Sequence, residues 1–223
     1  MHMPSGYLPD TLLLICSILS APVILVALFK AERHIWSDWS AGLQIGLLFI
    51  LLIGLYMMQA NIRPGMAVHW LGVMLTVMMV GPWTAILVLC SVHTALLFGT
   101  QTGALDTLGF NIFVCVMIPV GVAALMHSLT YRYLPRNLIV YIAKTGFGDL
   151  FCMLSVDLVL TIVLWTYFSY PDFVVRQDFT LLLALMGGME AVISTWIILL
   201  LICCVPDWLV TFNDEEYLGI PKE

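Results

Sequence analysis

Apolar runs of about twenty residues recur along this chain, and nothing else limits its fold so tightly. A helical run of about 20 such residues crosses the hydrocarbon core of a bilayer. Backbone N–H and C=O groups in lipid must be bonded within the protein, so only helices or closed barrels can span it. These runs are much too long for barrel strands and lack their apolar/polar alternation. Of the 223 residues, 62% are hydrophobic and 10% charged, and mean hydropathy is +1.05. A soluble domain is about a quarter charged. The chain therefore reads as an all-α polytopic membrane protein. One integral membrane domain is expected over residues 1–204, with an acidic cytoplasmic tail over 205–223. Much of the net charge of −6 lies in that tail, at Asp214, Glu215, Glu216 and Glu223, and it argues against nucleic acid as a partner. The six cysteines all fall in apolar runs, form no CxxC pair and read as small buried hydrophobes.

Spans are expected at about Leu8–Phe29, Ala41–Ala60, Phe110–Leu129, Leu138–Phe168 and Phe179–Cys204. The stretch Met66–Gly99 is too long for one span and short for two. Gly81-Pro82-Trp83 divides it, and a proline interrupts a helix while a glycine permits the turn. Two short helices, Met66–Val80 and Trp83–Phe98, are predicted around that point, each about 24 Å long at ~1.5 Å per residue. Seven spans with the N-terminus outside put Lys30, Arg33, Arg132, Arg136 and Lys222 inside and only Arg63 and Arg176 outside. Counting Met66–Gly99 as a single span destroys that bias, so the positive-inside rule favours seven.

The first ten residues look like a leader, but no Lys or Arg precedes Lys30, and Pro and Gly precede the apolar run. The segment is expected to persist, with Met1 retained because His2 is large. A free α-amine, the His2 backbone nitrogen and the His2 imidazole close two fused chelate rings around one ion. Completed by another imidazole, they make a square-planar nitrogen site suited to Cu(II) or Ni(II), with Co(II) also accommodated. The amine titrates near pH ~8, so a metal displaces its proton near neutrality. Against this stands the plain alternative of a frayed terminus that carries a histidine by accident.

A few polar residues inside apolar runs bear on the choice. His69 starts at the outer face, the same face as His2, and is the candidate fourth nitrogen. His93 approaches that face from the next helix, as a residue that orients a ligand or bonds a carbonyl. Asn111 and Glu190 are candidates for the surroundings of the site; helix packing is the alternative for Glu190. Asp149 and Asp157, eight residues apart on one predicted helix, read as an ion path or as buried partners of Lys144 and the backbone.

Taken together, Met1-His2-Met3-Pro4-Ser5-Gly6-Tyr7-Leu8, His69-Trp70-Leu71-Gly72, Val80-Gly81-Pro82-Trp83-Thr84-Ala85, Leu108-Gly109-Phe110-Asn111-Ile112-Phe113 and Gly187 through Glu190 to Ser194 resemble the cobalt/nickel substrate-binding components of energy-coupling-factor transporters. The order and spacing of these motifs cover almost the whole chain. The resemblance implies that the N-terminus plugs into the bundle from outside. It implies that Met1, His2 and His69 bind Ni(II) or Co(II) as transported substrate, with no organic cofactor. It implies as partners a membrane coupling subunit, cytoplasmic ATPases and often a small accessory membrane protein, in a bacterial inner membrane. The chain has no Walker motif of its own. It departs from the family pattern at Ser5 (usually Asp), Thr94 (usually Gln) and Val114 (often Asn), and His93 is an additional nitrogen. The other readings are a stand-alone carrier or channel using Asp149, Asp157 and Glu190, and a membrane metal sensor or scaffold. No nucleophile–base pair or catalytic zinc motif points to an enzyme.

Overall fold

The computed structural model describes residues 6–31, 39–63, 66–100, 105–168 and 170–219. Six helices among them are long and apolar enough to cross a membrane. They are α1 (Asp10–Lys30), α2 (Trp39–Met57), α4 (Pro82–Thr100), α5 (Leu105–Tyr133), α6 (Leu138–Tyr167) and α7 (Asp172–Cys204), with α3 (Val73–Val80) a short seventh. A tight hairpin, β1 (Ala60–Arg63) with β2 (Met66–Val68), links α2 to α3 and pairs Ala60 with Val68. A last short helix, α8 (Asp214–Leu218), closes the tail and is capped by the Asn213 side chain, which accepts from the Glu215 N–H at 3.0 Å. Large apolar side chains such as Phe29, Ile139 and Trp196 face outward, as lipid contact requires.

The stretch Met66–Gly99 departs from the expected pair of short helices. Only Val73–Val80 of its first half is helical, and β2 and an irregular segment precede it. Its second half is a full-length span of 19 residues. Gly72, at φ 63°, separates the extended and helical parts. Gly81, at φ 76°, makes the second turn, and Pro82 then starts α4, where its missing N–H has no intrahelical partner to lose. Only Met66–Val68 is strand, folded back on β1 after the end of α2, and residues 69–72 carry the chain from it to the buried start of α3.

Extended backbone at that depth is tolerated only where the protein bonds it. The first N–H groups of α3 also lack intrahelical acceptors. Two buried carboxylates supply both needs. Glu190 of α7 accepts from the Leu71 N–H at 3.1 and 3.0 Å and from the Gly72 N–H. Asp149 of α6 accepts from the Met74 N–H at 3.0 Å. All eight residues of α3 are buried, so its first N–H groups meet carboxyl oxygens far from water, where an unmet donor would be most costly.

The opposite end of α3 is tied as well. The Met78 carbonyl accepts from the Thr211 N–H at 3.4 Å and from the Thr211 hydroxyl at 3.0 Å. The Met79 carbonyl accepts from the Val210 N–H at 3.3 Å and the Gln44 amide at 3.2 Å. Gln44 also donates to the Trp208 carbonyl at 2.6 Å, so the tail straps the C-terminal end of α3. Tyr217 packs edge-on against Tyr141 at the start of α6, while Tyr7 stacks at 4.9 Å on Phe168 just past its end. Tyr7 and Tyr217 therefore lie at opposite ends of α6.

Two substitutions measure these constraints. Each buried N–H left without an acceptor costs about 1–3 kcal/mol. Glu190→Ala is therefore expected to lower the unfolding free energy in detergent by about 3 kcal/mol or more, and Glu190→Gln, which keeps an amide oxygen, by less. Unchanged thermal and denaturant melts for both would show that α3 does not need the clamp. Gly72→Ala should cost about 2 kcal/mol from its left-handed backbone, with a further loss because a Cβ there would stand 2.6 Å from Leu52 Cδ2.

Candidate metal site

Three aromatic side chains from separate elements meet near the end of the bundle that carries the β1–β2 hairpin. Tyr56 is at the end of α2, His69 sits between β2 and Gly72, and His93 is in α4. All three are buried, His69 completely. The Tyr56 ring lies 4.3 Å from His69 at a tilt of 32° and 5.0 Å from His93 edge-on. The two imidazole centroids are 6.4 Å apart.

The hydrogen bonds define the chemistry of each ring. His69 Nδ1 is 2.8 Å from the Trp70 carbonyl, and His93 Nδ1 is 3.0 Å from the Leu89 carbonyl. A carbonyl has no proton to give, so each Nδ1 is the donor. In the neutral ring Nε2 then carries the lone pair, the form in which imidazole ligates metals. The His69 bond is to its own neighbour, and two residues on, the Leu71 N–H is held by Glu190. The backbone that carries His69 is thus anchored immediately below it. An extended strand leading into a clamped turn holds the ring where a continuous helix would carry it elsewhere.

The remaining sequence candidates divide between this site and others. Glu190 and Asp149 come together at one helix N-terminus. Asp157 is apart from them, accepting from the Thr161 hydroxyl at 3.2 Å while Thr161 meets Thr180 at 2.9 Å. Lys144, the nearest cation to Asp149 in sequence, instead meets His127 Nδ1 at 3.1 Å and the Tyr141 ring at 4.1 Å. Asn111 is buried and its amide lies 3.5 Å from the Thr107 hydroxyl. It precedes a π-helical turn, Phe113–Met117, a feature often found at functional sites. Gly109 beside it allows α1 to pack close, since a Cβ there would collide with Ser17. Met1 and His2 lie outside the described residues. Among those described, no group of three or more His, Cys, Asp or Glu is arranged to hold a metal ion, and His69 and His93 are the two imidazoles that meet here.

Tyr56 was not legible as a site residue. Tyr56 falls inside the apolar run expected over Ala41–Ala60, where nothing in its spacing sets it apart. Only the fold of β1–β2 over the end of α2 brings it between two histidines.

Comparison with known proteins agrees with this architecture. Residues 2–208 match the family model described as the cobalt uptake substrate-specific transmembrane region. The cobalt transport protein CbiM of Thermosipho melanesiensis is 27% identical over 174 residues, covering 77% of this chain and 70% of its own length. The crystal structure of a truncated transition metal transporter superposes with a TM-score of 0.74 at 21% identity, covering 91% of this chain and 98% of that one. A second crystal structure of a transition metal transporter gives 0.73 at 20% identity, covering 91% and 93%. At these identities the two structures establish the fold. With six helices long and apolar enough to cross a membrane among the described residues and a family match over residues 2–208, this chain belongs to the cobalt uptake substrate-specific transmembrane family, a multi-pass membrane component of cobalt transport.

Proposed function

We propose that this chain is the substrate-capture membrane subunit of an ATP-driven uptake transporter for Co(II) or Ni(II). The ion is bound by the N-terminal amine, the backbone and ring nitrogens of His2, and His69, with His93, Asn111 and Glu190 shaping the surroundings. The observation that carries this reading is His69: a fully buried imidazole whose Nδ1 is committed to a carbonyl at 2.8 Å, which leaves Nε2 as the ligating nitrogen. Tyr7 and Leu8 support it. Tyr7 stacks on Phe168 and Leu8 is buried, so the chain just after the proposed chelating end is docked against the bundle. Family membership supports cobalt as the ion carried, and nickel fits the same nitrogen set.

Energy comes from elsewhere in this reading, since no residue pattern here binds ATP phosphates. A membrane coupling subunit and cytoplasmic ATPases supply the work that opens the site inward, with a small accessory membrane protein as a further candidate partner. The carrier reading based on Asp149, Asp157 and Glu190 gains less support, because Glu190 and Asp149 already accept from the backbone of residues 71–74.

Purified protein with a native Met1 should bind Co(II) or Ni(II) tightly and close to one per chain. One extra residue before Met1 removes the chelate rings and is expected to abolish binding. His69→Ala is expected to weaken binding by a factor of about 100, as for the loss of an oriented imidazole. Metal content that survives both changes would overturn this reading and move the site elsewhere.

A further inference from the structure

Tyr56 lies against His69, yet the proposed chelation makes no use of it. The inference rests on the capture reading above, in which His69 is a ligand. A ligating side chain works only when held within about 0.5 Å and 10–20° of the productive pose, by neighbours that are themselves locked in place. The bond from His69 Nδ1 to the Trp70 carbonyl, at 2.8 Å, lies in the plane of the ring and sets which edge points where. One bond in the plane still lets the ring rock about the bond axis. Only a contact on the face of the ring can stop that motion.

Tyr56 supplies such a contact. Its ring meets His69 with centroids 4.3 Å apart and a tilt of 32°, so one flat surface rests on the other. Tyr56 is held in turn. It is 2% exposed, and it packs against His93 at 5.0 Å and 82°, the edge-to-face arrangement that aromatic pairs favour. One turn earlier in α2 and on the same face, the fully buried Leu52 lies against Gly72, where a Cβ would stand 2.6 Å from Leu52 Cδ2. The missing side chain at Gly72 lets the end of α2 settle onto residues 69–72, and that approach lays Tyr56 on His69. The Tyr56 hydroxyl is buried with no hydrogen-bond partner among the described residues. What Tyr56 brings to His69 is therefore its ring.

We propose that Tyr56 is a positioning residue for metal capture: its aromatic ring, and not its hydroxyl, fixes the tilt of the His69 imidazole. An aliphatic side chain of similar bulk fills the space but offers no flat face, so the imidazole regains its rocking motion. Ring against chain is thus the comparison that decides, and a phenylalanine is a full replacement.

The test uses the full chain with its native Met1 and isotope-labelled histidine, comparing native protein, Tyr56→Phe, Tyr56→Leu and His69→Ala. The last variant assigns the His69 signals. Without metal, the His69 ring in native protein and in Tyr56→Phe should give one sharp set of nitrogen resonances with the proton on Nδ1. In Tyr56→Leu that set should broaden or average, which a mere loss of bulk elsewhere in the bundle would not produce. With Co(II) alone as titrant, Tyr56→Leu should lose about tenfold or more in affinity, and Tyr56→Phe should bind as the native protein does. A Tyr56→Phe chain that loses as much cobalt as Tyr56→Leu would assign the role to the hydroxyl and overturn the proposal; this arm decides even where Tyr56→Leu fails to fold. Sharp His69 signals and native affinity in a folded Tyr56→Leu chain would overturn it as well. Cobalt that survives His69→Ala unchanged overturns the capture reading and this inference with it. Cobalt lost in His69→Ala but unaffected by Tyr56→Leu overturns this inference alone.

Discussion

The clamp that Glu190 and Asp149 place on residues 71–74 is the interaction on which the rest of this structure depends. A strand-and-turn segment inside a membrane protein has backbone donors that no lipid can satisfy. Helical folding of residues 66–72 would satisfy them within the chain, but it would carry His69 away from Tyr56 and His93. Two carboxylates from neighbouring spans offer the other solution. Each is costly to bury alone, and each is bonded to backbone N–H groups at the start of a buried helix. The pairing offsets both costs at one place.

From that clamp follow the position of His69 and the shape of the bundle around it. Because the chain is extended above Gly72, His69 stands off the helix axis and faces Tyr56 and His93. Because α3 is short, its C-terminal end also falls within reach of the tail, and Met78 and Met79 present carbonyls to Val210, Thr211 and Gln44. The tail is therefore part of the packed bundle as far as Tyr217, joined to Tyr141 and Phe212 by aromatic contacts and to Arg136 through Glu216 at 3.3 Å. One short helix thus has its N-terminal end fixed by buried acids and its C-terminal end by the tail, with the candidate site just before the former.

The helical spans were legible because length and apolar content settle them: α1, α2, α6 and the end of α7 fall close to where the apolar runs lie. Gly81-Pro82 was legible as a break for the same local reasons, a flexible residue followed by one lacking an N–H. The form of the chain from Met66 to Gly72 was not, because apolar residues there suit a helix as well as a strand. What decides is a long-range fact, the presence of Glu190 more than a hundred positions away. Glu190 and Asp149 were visible as buried acids that need an explanation, but their common partner was not, because sequence spacing relates residues along one helix and says nothing about which helix N-terminus they share.

The family motifs singled out His69 and Glu190, and the structure brings the Glu190 carboxyl to the Leu71 and Gly72 N–H groups just after His69. The motifs could not identify Tyr56, since it falls inside an apolar run and its spacing from His69 and His93 follows no helical period. By itself the sequence determined that the chain is a multi-pass membrane protein and where most of its long helices run, because the lipid environment makes those properties follow from composition and length. Tertiary structure alone decided that a strand would replace half a helix, that two acids would cap what remained, and that Tyr56 would bridge two histidines. Those outcomes depend on which backbone groups lack a partner once the helices are packed, a quantity that exists only in three dimensions.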